Sequence, residues 1–190
     1  MNKDNLEDIL TPHVMVLAEL LKLKRSDFEW DFFSDFKIDF PNYTAMFSVG
    51  TFIKPHETIN ICEPLIILND ELKLPVEAYI QTLAHELRHA WQYYENKQKW
   101  NKQFNLKPKD LGWRSTSSDT KNIPEKYINL EIEQDAYAFQ LAYMWLVLGD
   151  KKTLKLDVEL FTESIIERAN KLHLSYFNAF QRLIKRYNFQ

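Results

Sequence analysis

Apolar residues fall at three- and four-residue steps from about Asn5 to Lys24, where Leu6, Ile9, Leu10, Val14, Leu17, Leu20 and Leu21 trace one face. That spacing predicts an amphipathic helix within residues 1–24, with Pro12 marking a start or a kink. From Phe36 to Leu68 the texture changes to short runs rich in Ile, Val, Phe and Thr (KIDF, TAMFSVGTFI, TINI, PLIIL), separated by Pro41-Asn42, Pro55-His56 and Glu63-Pro64. These runs predict a small, mainly antiparallel sheet of about three strands over 36–68. Pro64 cannot donate a ladder hydrogen bond, so its strand is expected at an edge or at a bulge.

Pro75 then opens a strong helix over 75–96, whose stripe of Val76, Tyr79, Ile80, Leu83, Leu87, Ala90, Trp91 and Tyr94 faces the core. Residues 97–124 are polar and aperiodic, which predicts a long loop of the functional kind. A second long helix is expected over 125–148, stopped by Gly149. Two more, roughly Asp157 to Leu172 and Ser175 to Tyr187, complete the C-terminal helices over 157–187. The pattern is that of an α+β protein.

Composition narrows the possibilities. With 190 residues, 45% of them hydrophobic and 14% aromatic, the chain suits one substantial core and is expected to form a single domain, 1–190. Its formal charge of −3 arises from well-mixed acids and bases, so no basic stripe points to nucleic acid. Three glycines and no GxGxxG or Walker-type run argue against nucleotide binding. The longest apolar stretch, Ala136 to Leu148, is broken by Gln140 and falls short of the roughly 20 residues that span a bilayer. The lone Cys62 cannot form an internal disulfide, and the first residues, MNKDNLEDIL, lack a secretory pattern, so a cytoplasmic location is expected.

The chemistry lies in His85-Glu86-Leu87-Arg88-His89, in the middle of the 75–96 helix. The four-residue step puts both imidazoles on one helix face, a turn apart, as two preorganised metal ligands. Glu86 lies beside them, placed to act as a general base on an activated water. A catalytic zinc needs a third protein ligand, and the 125–148 helix offers acids for it. Glu131 and Asp135 share a face there, one turn apart, while Glu133 points nearly the opposite way. The expectation is therefore Glu131 as third ligand. Asp135 is expected to accept the free ring N–H of a ligand histidine. One Zn2+ per chain is the implied cofactor, since two imidazoles and a carboxylate suit zinc best. His13 and His56 are read as surface or loop histidines.

HELRHAWQ, followed about forty residues later by EIEQDAYAF, resembles the gluzincin zinc metallopeptidases. The wording of the second segment is similar to that of the HtpX-type and minimal soluble gluzincins, and the ImmA/IrrE-type peptidases use a related helix. The likeness covers about Ile80 to Phe139. It implies a zincin-like fold, with the sheet packed on the His-Glu-x-x-His helix and the third ligand on a later helix. It implies an enzyme that hydrolyses peptide bonds in a peptide or protein substrate, with His85, His89 and Glu131 on the metal, Glu86 as base and Asp135 in support. Substrate is then expected to lie extended beside the edge strand near Thr58 to Leu68. A donor to the oxyanion is wanted besides the metal, and the candidates are His173, Tyr176, Tyr127 and Arg114. Two other readings stand beside this one. The first is a regulatory protease of the ImmA/IrrE kind that cuts one specific partner. The second is a latent or non-enzymatic zinc-binding interaction module.

Overall fold

The computed structural model describes residues 3–39, 50–55, 63–104, 125–149 and 161–187. The first part of the TAMFSVGTFI run, the TINI run, His56, Cys62, Arg114 and the start of the helix expected from 157 lie outside the described residues. Within them the chain is α+β, with helices arranged around a small three-stranded mixed sheet.

The first helix, α1, runs Lys3–Leu21 with Pro12 inside it. Strand β1, Glu29–Phe32, follows, and then helix α2, Phe33–Asp39, where a strand was expected from Phe36. Strands β2, Gly50–Ile53, and β3, Leu65–Leu68, complete the sheet in the order β1-β3-β2. β1 runs parallel to β3 and β2 antiparallel to it, so the sheet is mixed. All four residues of β3 are buried, as befits a central strand bearing only aliphatic side chains. Pro64 sits just before β3 and contributes its carbonyl to Glu29 N at 2.8 Å, a role that needs no N–H. Its strand is therefore central, neither at an edge nor bulged. The α2 correction has a simple cause: Phe33 and Phe36, three residues apart, both reach the small cluster of Leu65 and Ile67.

Helix α3, Val76–Glu95, carries the His-Glu-x-x-His motif and is buried on nearly every side between residues 78 and 93. It packs on β2, β3, α1 and a later helix. At Gly50 an added Cβ would collide with the Thr82 methyl of α3, so glycine permits β2 to lie close along this helix. Helix α4, Lys97–Phe104, occupies the first part of the expected loop. Asn96 links the two helices: its backbone N–H closes α3 on Gln92 O, and its side chain accepts from Lys99 N at 2.9 Å to start α4. Trp100 then anchors α4 against Phe52 and Tyr93.

The expected 125–148 helix is two. Helix α5, Glu125–Ile128, is separated by an extended Leu130 (φ −64°, ψ 133°) from α6, Glu131–Leu148, which Gly149 ends in the left-handed region at φ +70°. The C-terminal helices are one: α7, Glu163–Arg186, passes through 172–175 without a break. No glycine or proline interrupts it there, and the Ser175 hydroxyl donates back to Leu172 O at 2.8 Å. Thr162 caps its start by accepting from Ile165 N. The main core joins α1, α3, α6, α7 and the inner sheet face through Leu10, Leu17, Ile66, Leu83, Leu87, Phe139, Tyr143 and Phe180. Each such side chain contributes about 1.5–3 kcal/mol by leaving water.

His13, expected at the surface, is buried in this core at 5% exposure and hydrogen-bonded through Nδ1 to the Tyr143 hydroxyl at 2.9 Å. Burial lowers its pKa from 6.5 to about 4. The unfolded chain takes up a proton below pH 6.5 that native His13 refuses until about pH 4, so stability is full above 6.5 and is lost as pH falls across that window. At pH 5 the loss is about 2 kcal/mol. Urea unfolding at pH 7.5 and pH 5 should show this extra pH dependence in the wild type and not in His13→Gln; equal dependence in both would refute it.

Candidate metal centre

α3 and α6 lie side by side, and each turns two polar rows toward the other. From α3, His85 and His89 form one row, with Arg88 and Gln92 in the next; from α6, Glu133, Tyr137 and Gln140 face the first and Asp135 the second.

Glu133, not Glu131, is the acid brought to the histidines. His85 Nε2 lies 3.3 Å from Glu133 Oε2, His89 Nε2 lies 3.4 Å from Glu133 Oε1, and the two Nε2 atoms are 3.1 Å apart. A tetrahedral zinc with bonds of about 2.0–2.2 Å requires ligand atoms about 3.3–3.6 Å from one another; here each imidazole meets a different oxygen of Glu133 at a comparable distance. His85, His89 and Glu133 are all buried and could hold a metal ion. Glu133 has 0% exposure, and its carboxylate is met by His85, His89 and Tyr127. A buried carboxylate is stable only with such donors or a cation beside it.

Both ring Nδ1 atoms face amide oxygens: His85 on Gln140 Oε1 at 3.1 Å and His89 on Gln92 Oε1 at 2.9 Å. An amide oxygen only accepts, so the Nδ1 atoms donate, and neutral rings present lone pairs at Nε2 toward each other and toward Glu133. Without a metal, the electrostatics favour a proton on His89 instead. Burial pulls His89 down, but the charge and contact of Glu133 outweigh it and hold the ring up to about 9. Burial likewise opposes the Glu133 charge, yet His89 and His85 keep that carboxyl far below the usual range. The group demands positive charge, and a divalent ion meets that demand as a proton does.

Glu86, buried on the same helix, is pushed up by desolvation, with His85 and His89 pulling against it and Glu133 adding to the rise. Tyr127 of α5 lies beside Glu133; burial and then the Glu133 charge raise its phenol well above the ordinary tyrosine range. The Tyr137 ring meets the His85 imidazole edge-on at 4.6 Å between centroids.

The remaining expected residues go elsewhere. Glu131 is 56% exposed at its side chain and pairs with Lys99 at 2.7 Å. Asp135 accepts from Arg88 Nε at 2.7 Å and from Gln92 Nε2 at 2.9 Å, so it reaches His89 only through the Gln92 amide. His173 packs against Trp145 and Phe177, and Tyr176 against Phe139, in the contact between α6 and α7. Gln92 and Gln140 were not anticipated. Their signal was present in the spacing: Gln92 follows His89 by three residues, and Gln140 follows Glu133 by seven, each on its partner's face.

No family model matches this chain, nor does any curated protein or solved structure.

If Glu133 completes the metal triangle, Glu133→Gln should reduce zinc bound per purified chain by an order of magnitude or more. Glu131→Gln should leave it unchanged. Elemental analysis of the two variants decides the point, and the opposite pattern would restore Glu131.

Proposed function

We propose that this chain is a zinc-dependent metallopeptidase with a zincin-like arrangement, in which His85, His89 and Glu133 hold the ion and Glu86 is the general base. The observation that carries this reading is the two-imidazole, one-carboxylate triangle with a second, uninvolved acid beside it on the motif helix. Three protein ligands leave the fourth tetrahedral position for chemistry, whereas a structural site fills all four and has no use for a base. A zinc ion bound there supplies Lewis acidity, lowering the pKa of a water toward about 7 and polarising the scissile carbonyl.

Glu86 would take the proton of the attacking water and pass it to the leaving amine, its burial raising its basicity for both tasks. Tyr127, beside Glu133, is the phenol we assign as the oxyanion donor. The substrate strand belongs on β2 rather than in the Thr58 to Leu68 region. Among the described residues β3 is paired on both sides and β2 on one, so we place the substrate at the β2 edge, whose Phe52 ring lies 6.3 Å from the His89 ring.

A second reading is favoured by one observation. His89 is 2% exposed and Glu133 not at all, so a peptide bond reaches the group only after α5 or its neighbours move. A latent enzyme, or one opened by a single protein partner as in the ImmA/IrrE kind, fits that burial. Among the described residues no helix is long and apolar enough to cross a membrane.

The test is cleavage of a quenched peptide library by zinc-loaded protein. The wild type should cleave, and Glu86→Gln should retain zinc while losing about 10²- to 10⁴-fold in rate. Zinc without cleavage in the wild type would favour the latent form. A wild type that binds no zinc would end the peptidase reading.

A further inference from the structure

The orientation of His89 is set by a neutral amide whose own orientation is locked. Gln92 Nε2 donates to Ile132 O at 3.0 Å and to Asp135 Oδ2 at 2.9 Å. The Ile132 carbonyl can only accept. Asp135 presents an acceptor there as well, since both of its oxygens take hydrogen bonds from the Arg88 guanidinium, from Nε at 2.7 Å and Nη2 at 3.2 Å. Both hydrogens of the Gln92 amide are thereby committed. Its oxygen must be the atom 2.9 Å from His89 Nδ1, and Nδ1 must be the donor. A proton on Nδ1 leaves the lone pair on Nε2, the nitrogen that faces His85 and Glu133.

We propose that Gln92 is a positioning residue that sets the metal-binding tautomer of His89, and that the Arg88–Asp135 ion pair acts on the site through it. The consequence for metal rests on the metal-centre reading above; the tautomer itself does not. Arg88 is well placed to hold the chain of bonds rigid, since its guanidinium stacks over the Trp91 ring at 3.7 Å and so presents its fork to Asp135 in one orientation. Asp135 also meets Arg168 of α7 at 3.5 Å, which ties a third helix to the same set of bonds. A neutral acceptor at Nδ1 fixes the ring while adding no negative charge next to it, so the charge of the centre is left to Glu133 and Glu86.

Two measurements on the full chain test this. In metal-free protein at pH 10.5, long-range proton–nitrogen correlation spectra should show His89 protonated on Nδ1. In Gln92→Leu the signature should move toward protonation on Nε2, the form a free imidazole prefers. Zinc titration against a competing chelator should show Gln92→Leu weakened about 10- to 100-fold. A wild type protonated on Nε2, or a tautomer unmoved by Gln92→Leu, overturns the proposal. Absence of zinc binding in the wild type would instead remove the metal reading, and the spectra would still decide the tautomer. Should Gln92→Leu fail to fold, the wild-type spectrum alone retains the power to refute.

Discussion

A carboxylate taken out of water must be answered by positive charge, and α6 carries two such carboxylates facing a single neighbour. Glu133 is wholly buried against His85 and His89; one residue pair further round the helix, Asp135 is held by Arg88. Each uncompensated ion would cost several kcal/mol, so α6 is constrained to the one register against α3 that satisfies both. The apolar core around Leu83, Leu87, Phe139 and Tyr143 supplies the driving force for pairing the helices. The two ionic rows determine how they pair. Removing one member of a row leaves its partner charged and buried, which costs more than the pair itself stabilises.

This constraint also explains what could be read from the sequence and what could not. α3 was legible because its apolar stripe has one period over twenty residues, and the histidines follow from that period. The acids of α6 were divided by helical period into Glu131 with Asp135 on one face and Glu133 opposite, whereas Glu133 and Asp135 both face α3 and Glu131 pairs with Lys99. The missing consideration was Arg88. It stands inside the motif, one step round the helix from the histidines, and needs an acid of its own; Asp135 meets that need and leaves Glu133 for the imidazoles. β1 was missed because EWDF shows only four residues and pairs with β3 across a long stretch of sequence, a non-local contact that local periodicity does not report. α4 was hidden for a different reason: its sequence is polar apart from Trp100 and Phe104, and two aromatics in eight residues with one Asn96 cap are too short a pattern to read as periodic.

The surroundings of the two histidines differ from a carboxylate-supported site in a way that bears on chemistry. Both Nδ1 atoms rest on glutamine oxygens, and the nearest acid on the Gln92 side lies one hydrogen bond further out. A carboxylate in direct contact with an imidazole makes it more basic and the ion it holds less electrophilic. Amides orient without that effect. With only Glu133 carrying charge among the three ligands, a bound divalent ion would keep a net positive charge, the condition under which water activation near neutral pH is effective.

The short break at Asn129–Leu130 has two consequences that belong together. It starts α6 at Glu131, in the turn that carries Glu133, and it lets α5 place Tyr127 beside the same carboxylate. Had the helix run unbroken from 125, Tyr127 would sit on the α6 axis, about one and a half turns before Glu133, on the continuation of a helix face rather than over the group. The same residues that complete the ligand triangle therefore also cover it, together with Tyr137 against His85 and Phe161 against Tyr137. A four-residue helix such as α5 has almost no stability of its own and is held by what it packs on.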